Sequence, residues 1–377
     1  MKKLAKKLSA SVTAAALGLS LIMSPTAEAI NLGDVIGIGI GAAAANEQIN
    51  QIKKQLDQIN NSEEGRQMLY QKFREEYGVS ENAEKNNRLD MIMSNLSAAV
   101  SKVDPTISEK PYLYFLANQK EVNAACGMGH VMMVNDGTFD FFATDDEIAA
   151  IVGHEMGHGQ KDHAVKGVKN QLNQQLLASI GVAAAGGTTL ANLIGSLALT
   201  GTVADYGRGK EAEADDLAFD YLLHTDYNIG ATAAVMQRFV EAGFGKKQSG
   251  LETLFKPSDH PNSEKRRDNY AKKLFEYSKK HAEVDKKTGK VMINKKEFVL
   301  PAATNNMSSA ERAYFVLGNL ATAYHKGLDK MEATVSNGTV YLGSNGSWWS
   351  PRNRAMLAYY TVDDGAEKEL CAFDQVS

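Results

Sequence analysis

The chain has 377 residues, 44% hydrophobic and 23% charged, with a formal net charge of −4. That length suffices for one large domain with a proper core, or for a large domain plus a small one. No dense basic stripe breaks the charge balance, which argues against nucleic acid as a partner.

The first 29 residues read as a signal peptide. Lys2, Lys3, Lys6 and Lys7 form a positive n-region, an apolar stretch runs from Ala10 to Met23, and Ala27 and Ala29 give the small-residue pattern of a cleavage site. An uncleaved anchor is the other reading. Export implies a periplasmic or extracellular protein and an oxidising compartment. A disulfide between Cys126 and Cys371, or two free buried thiols, both fit that compartment.

Residues 46–103 carry helical patterning, with Ile49, Ile52, Leu56 and Ile59 at helical spacing, until Pro105 breaks it. Short strand-like runs follow at Tyr112–Asn118 and His130–Asn135. Asp145–His158 is expected to be a helix, with Thr144 as N-cap and Glu147 three residues on. Residues 176–204 contain no charge, which by length alone would permit a membrane span. Their many Gly, Ser, Thr and Asn residues favour two buried helices, with a peripheral membrane hairpin as the alternative. Helix returns from Asp205 to Ser278, interrupted by a loop at Gly243–Pro261. Beyond that, Asp285–Lys290 reads as a turn, Val291–Val299 and Val335–Leu342 as strands, and Ser308–His325 as a helix. Residues 30–281 are therefore expected to form a main domain and residues 282–377 a small α+β one.

The chemistry concentrates at His154-Glu155-Met156-Gly157-His158. Histidines four apart on a helix share a face and bind one metal ion, and Glu155 lies beside them. The flanking Ile148–Val152 run suits a buried helix, and Gly153 and Gly157 leave room around the ligands. A catalytic zinc takes three protein ligands and keeps one position open. Some 50 residues on, Glu211 and Asp215 share a helix face while Glu213 points away. Glu211 can bind the metal and Asp215 can accept a hydrogen bond from a ligand imidazole. A solvated acidic face is the bland reading of the same residues. His130 and His163 read as local or surface histidines rather than ligands.

Taken with its surroundings, this pattern resembles the M48 family of metallopeptidases. Gly207-Arg208 followed by Glu211-Ala212-Glu213-Ala214-Asp215 resembles that family's second zinc-site helix. Asn123-Ala124 followed by Val131–Val134 and Gly137 resembles its active-site strand, and His260-Pro261 with Arg266 its downstream His-Pro segment. Ala125, Met128 and His130 depart from the usual residues of that strand. The resemblance implies a mostly helical α+β zincin-like metallopeptidase with a small sheet, holding one Zn2+ per chain through His154, His158 and Glu211. It implies Glu155 as general base on a zinc-bound water, and His260 as oxyanion donor or latent fourth ligand. Arg266 would hold the His-Pro segment or the oxyanion side. Gly129, His130, Val131 and Met132 are expected to pair with an extended peptide by strand addition. The implied activity is metalloendopeptidase cleavage of exported or misfolded envelope proteins. An envelope chaperone or assembly factor that binds unfolded clients and cuts rarely is the alternative.

Overall fold

The computed structural model describes residues 56–170, 208–243 and 263–327 except 305, together with residues 50, 53, 54 and 173 and three strands between 331 and 359. Helix α1 spans Glu63–Tyr77, started by the Ser62 hydroxyl accepting from the Gly65 N–H and ended at Gly78 with φ 70°. Helix α2 spans Ala83–Val103 with Asn82 as its cap, and buries Leu89, Ile92, Met93, Leu96 and Val100 along one stripe. It stops where the sequence demands. Asp104 is extended and Pro105 opens a single 3-10 turn.

Three strands follow: β1 (Leu113–Ala117), β2 (Ala124–Cys126) and β3 (Val131–Asn135). Their order is β1-β3-β2, with β1 parallel and β2 antiparallel to the central β3. All five β3 residues are buried because both faces of the sheet are covered. Val131 and Met133 pack with Leu69 and Phe73 of α1, whereas Met132 and Val134 join the larger cluster that contains α2. Full burial of each such side chain contributes roughly 1.5–3 kcal/mol.

After a short helix α3 (Asp136–Phe141) comes α4 (Asp145–Gln160). Its predicted capping box is present: Thr144 accepts from the Glu147 N–H and Glu147 reaches back to Thr144. The helix is buried almost all round. Next are α5 (Arg208–Leu222), α6 (Ala231–Glu241) and α7 (Ser263–Tyr277). A hairpin sheet, β4 (Ala282–Val284), β5 (Val291–Ile293) and β6 (Lys296–Val299), leads into α8 (Ser309–His325). Arg238 of α6 lies 2.7 Å from Glu311 and 3.3 Å from Glu147. These are the capping-box glutamates of α8 and α4, so one guanidinium ties both helix starts together.

Two strand expectations change here. The predicted strand Val291–Val299 is a hairpin, because Asn294 and Lys295 both take positive φ and reverse the chain. Likewise, Val335–Leu342 divides between β7 (Met331–Ser336) and β8 (Thr339–Ser344), which pair antiparallel on either side of Asn337-Gly338; β9 (Ala355–Tyr359) pairs with β8. The expected domain boundary at 282 does not coincide with a gap in the core. Ala282, Val291, Tyr314, Leu317 and Leu320 lie in the same buried cluster as Ile148 and Val152 of α4. Among the described residues, no helix is long and apolar enough to cross a membrane. The uncharged stretch 176–204 and the signal segment lie outside the described residues.

Candidate metal centre

The site is made where α4 and α5 pack. His154 and His158 project from one face of α4, with their Nε2 atoms 3.0 Å apart. Glu211, in the first turn of α5, brings Oε2 to 3.5 Å from His154 Nε2 and Oε1 to 3.3 Å from His158 Nε2. All three residues are buried, and their donor atoms lie within 4.8 Å of one another. What lets α5 come so close is glycine. A Cβ on Gly157 would sit 3.0 Å from the Ala214 carbonyl oxygen, and one on Gly153 would press on Leu222 at 3.3 Å. These glycines make room for the partner helix, not for the ligands.

Charge in the pocket fits a cation. Burial and the Arg266 guanidinium both oppose protonation of His154, yet Asp215 and Glu211 push its pKa up to about 9. Two imidazole nitrogens and one carboxylate form a donor set suited to zinc. Asp215 lies against the first of these histidines: its Oδ1 is 3.0 Å from His154 Nδ1. The same carboxylate accepts from Tyr270 Oη at 2.7 Å and from Arg266 Nη2 at 2.6 Å. Burial alone would raise the pKa of Asp215, but Arg266 and His154 hold it well below the usual carboxylate range. Arg266 thus reaches Asp215 and lies 3.1 Å from the His154 ring, so its place is behind a ligand, with its guanidinium engaged there. His260 lies outside the described residues.

Glu155 sits between α4 and the sheet. Its buried carboxylate accepts from the Cys126 backbone N–H at 3.1 Å. Cys126 itself has a free, buried thiol. A Cβ on Gly159 would lie 2.9 Å from its sulfur, so the thiol is packed against α4. Cys371 lies outside the described residues.

The expected substrate strand is corrected by the topology. Val131 and Met132 belong to β3, which is paired on both sides, so no peptide can add to it. Gly129 and His130 form the left-handed turn between β2 and β3, with φ 74° and 55°. Arg66 and Asn60 bond the Gly129 backbone on both sides. Among the described residues, the edge beside Glu155 is instead β2.

His130 is a packing residue, stacked on Tyr112 at 4.6 Å, with Nδ1 2.7 Å from the Lys110 carbonyl. Burial, reinforced by the Lys110 ammonium, lowers its pKa to about 4. Its ordinary value is about 6.5, so between those limits the unfolded chain binds a proton that the folded chain refuses. The His130 contribution is therefore constant above pH ~6.5 and falls as the pH drops toward 4, by up to about 3 kcal/mol. Urea unfolding across this range should show a shallower slope for His130→Asn than for the wild type. Parallel curves would refute the assignment.

His163 was not expected at the site, yet it is buried with Nδ1 2.8 Å from His158 Nδ1. Burial lowers its pKa, an effect opposed by the nearby Glu213 carboxylate. The sequence signal was hidden because residues five apart on a continuous helix do not face each other.

The pattern of peptidase family M48 matches residues 83–272, which span α2 to α7 and contain every ligand described above. The chain belongs to peptidase family M48. M48 is a peptidase family whose metalloproteases use zinc, and His154, His158 and Glu211 are grouped here as a possible metal site. Among curated relatives, the chain is 27% identical to Metalloprotease LoiP of Escherichia coli over 173 residues, 45% of this chain and 66% of that protein. It is 25% identical to Metalloprotease YcaL of the same organism over 189 residues, covering 49% and 69% of the two chains. It is 23% identical to the Beta-barrel assembly-enhancing protease of Yersinia pestis over 139 residues, 35% of this chain and 29% of that one. The chain thus spans just under two thirds of LoiP and less than a third of the assembly-enhancing protease.

Proposed function

We propose that this M48 chain is an exported zinc metalloendopeptidase that cleaves peptide bonds in exported or misfolded envelope proteins. The observation that carries the reading is the position of Glu155. Glu155 follows the donor His154 directly on α4, and its carboxylate accepts from the Cys126 N–H of β2, an edge strand among the described residues. His154, His158 and Glu211 would hold the zinc ion, which would supply Lewis acidity for the scissile carbonyl when bound. Glu155 takes the proton of the attacking water and returns it to the leaving amine. An extended substrate would lie along the β2 edge, whose backbone pairing selects unfolded or exposed segments over particular side chains. Export is supported by the basic, apolar, Ala-x-Ala sequence of residues 1–29.

The test is cleavage of an unfolded protein, such as reduced casein, by the purified chain. Activity should vanish with a chelator and return with zinc. Casein left intact by zinc-loaded protein would refute the reading. A second reading, binding of unfolded clients with rare cutting, takes support from the assembly-enhancing name of the Yersinia relative. It requires Glu155→Gln protein to keep such clients soluble.

A further inference from the structure

The two histidine ligands are backed differently. His154 has a buried carboxylate behind it, Asp215. His158 has another imidazole: His163 Nδ1 lies 2.8 Å from its Nδ1, and His163 Nε2 lies 3.1 Å from Glu213 Oε2. His163 is buried, while the Glu213 side chain is about half exposed.

Chain geometry shows how this contact is made. On an unbroken helix, residues 158 and 163 would point about 140° apart. Helix α4 ends at Lys161 and Asp162, with Asp162 at φ 51°. Its carboxylate is held by Asn60 at 3.0 Å and Lys110 at 2.9 Å. The chain turns there, and His163 folds back beneath His158 with the ring centroids 5.0 Å apart.

The proton positions then follow one from another. A ligand that offers the Nε2 lone pair must carry its proton on Nδ1. His158 Nδ1–H donates to His163 Nδ1, which as an acceptor leaves the His163 proton on Nε2. That N–H donates to Glu213. We propose that His163 is a positioning residue of the metal centre. The chain His158–His163–Glu213 fixes the tautomer and ring orientation of the second ligand. This inference rests on the metal-site reading above and adds two residues to it. Such partners govern metal affinity because they set both the direction and the basicity of the ligand nitrogen.

The experiment is a competition titration of the purified full-length chain with zinc and a chelating dye. It compares wild type, His163→Leu, His163→Gln and Glu213→Gln, each first checked for folding by circular dichroism. His163→Leu should weaken zinc binding by roughly 10–100-fold. His163→Gln should recover most of the loss, since its amide oxygen accepts from His158 Nδ1–H. Glu213→Gln should lose less, because its charge is screened by solvent. Nitrogen-15 spectra of zinc-loaded wild type should show His158 protonated at Nδ1 and His163 at Nε2, a readout independent of whether the Leu variant folds. A proton on His163 Nδ1, or folded His163→Leu protein that binds zinc like wild type, overturns the relay alone. A wild type that takes up no zinc overturns the relay and the metal site together.

Discussion

Glu155→Gln should abolish proteolysis while leaving the protein folded and loaded with one zinc per chain. Glutamine keeps an oxygen to accept from the Cys126 N–H, so the bond to β2 survives. It does not take up a proton, so the general-base step is lost, at a cost of roughly 10²–10⁴ in kcat. The metal donors His154, His158 and Glu211 are untouched. The comparison needs both zinc content and casein cleavage on the same preparation. Wild-type rates in the variant would mean that Glu155 moves no proton. Loss of zinc along with activity would mean that its role is to hold the site together.

Asp215→Asn should cost the most stability of any single change at the site. Asp215 is the shared acceptor of Arg266, Tyr270 and His154, all buried. Removing its charge leaves the Arg266 guanidinium with Glu211 at 3.6 Å as its nearest remaining ion-pair partner among the described residues. Breaking a buried pair in this way costs roughly 3–5 kcal/mol. At a few degrees per kcal/mol for a domain of this size, Tm should fall by roughly 10 °C in scanning calorimetry. Zinc affinity should fall as well, by about 10–100-fold, because His154 loses the carboxylate that orients it. A melting temperature within about 2 °C of wild type would show that the pair contributes little. The sign of the pH effect is fixed by the depressed pKa of Asp215. Its contribution is fully present above its ordinary value near 4 and is lost as the pH falls toward the folded value. The Asn variant should therefore lack that part of the acid destabilisation.

The relay changes how Glu213 is to be regarded. By helix periodicity it points away from Glu211, which makes Glu213→Gln look like an inert control for a zinc-ligand experiment. In the structure it ends a hydrogen-bonded path to His158. The inert control for Glu211→Gln is better taken from an acid remote from the site, such as Glu297 on β6.

What the sequence determined by itself is whatever a single element decides. The four-residue spacing of His154 and His158 places both rings on one face of any helix that contains them. The same spacing pairs Glu211 with Asp215. Thr144 and Glu147 start α4 through bonds made within one turn. The short apolar runs became β1 and β3, and the Val131–Val134 run of β3 is apolar throughout because both faces of that strand are buried. Tertiary structure decided everything that depends on which element lies beside which. Strand order is one case: Val131 and Met132 have the side chains of a strand whether central or edge, and only pairing with both β1 and β2 removes them from the substrate edge. His163 is another, since its contact with His158 exists only because Asn60 and Lys110, distant in sequence, hold the turn at Asp162. Arg266 is the third. Nothing in its own helix marks it as the partner of Asp215, and that pairing requires α7 to pack against α5. Local periodicity fixes direction within an element, whereas these contacts depend on chain segments brought together by burial, to which no short-range pattern points.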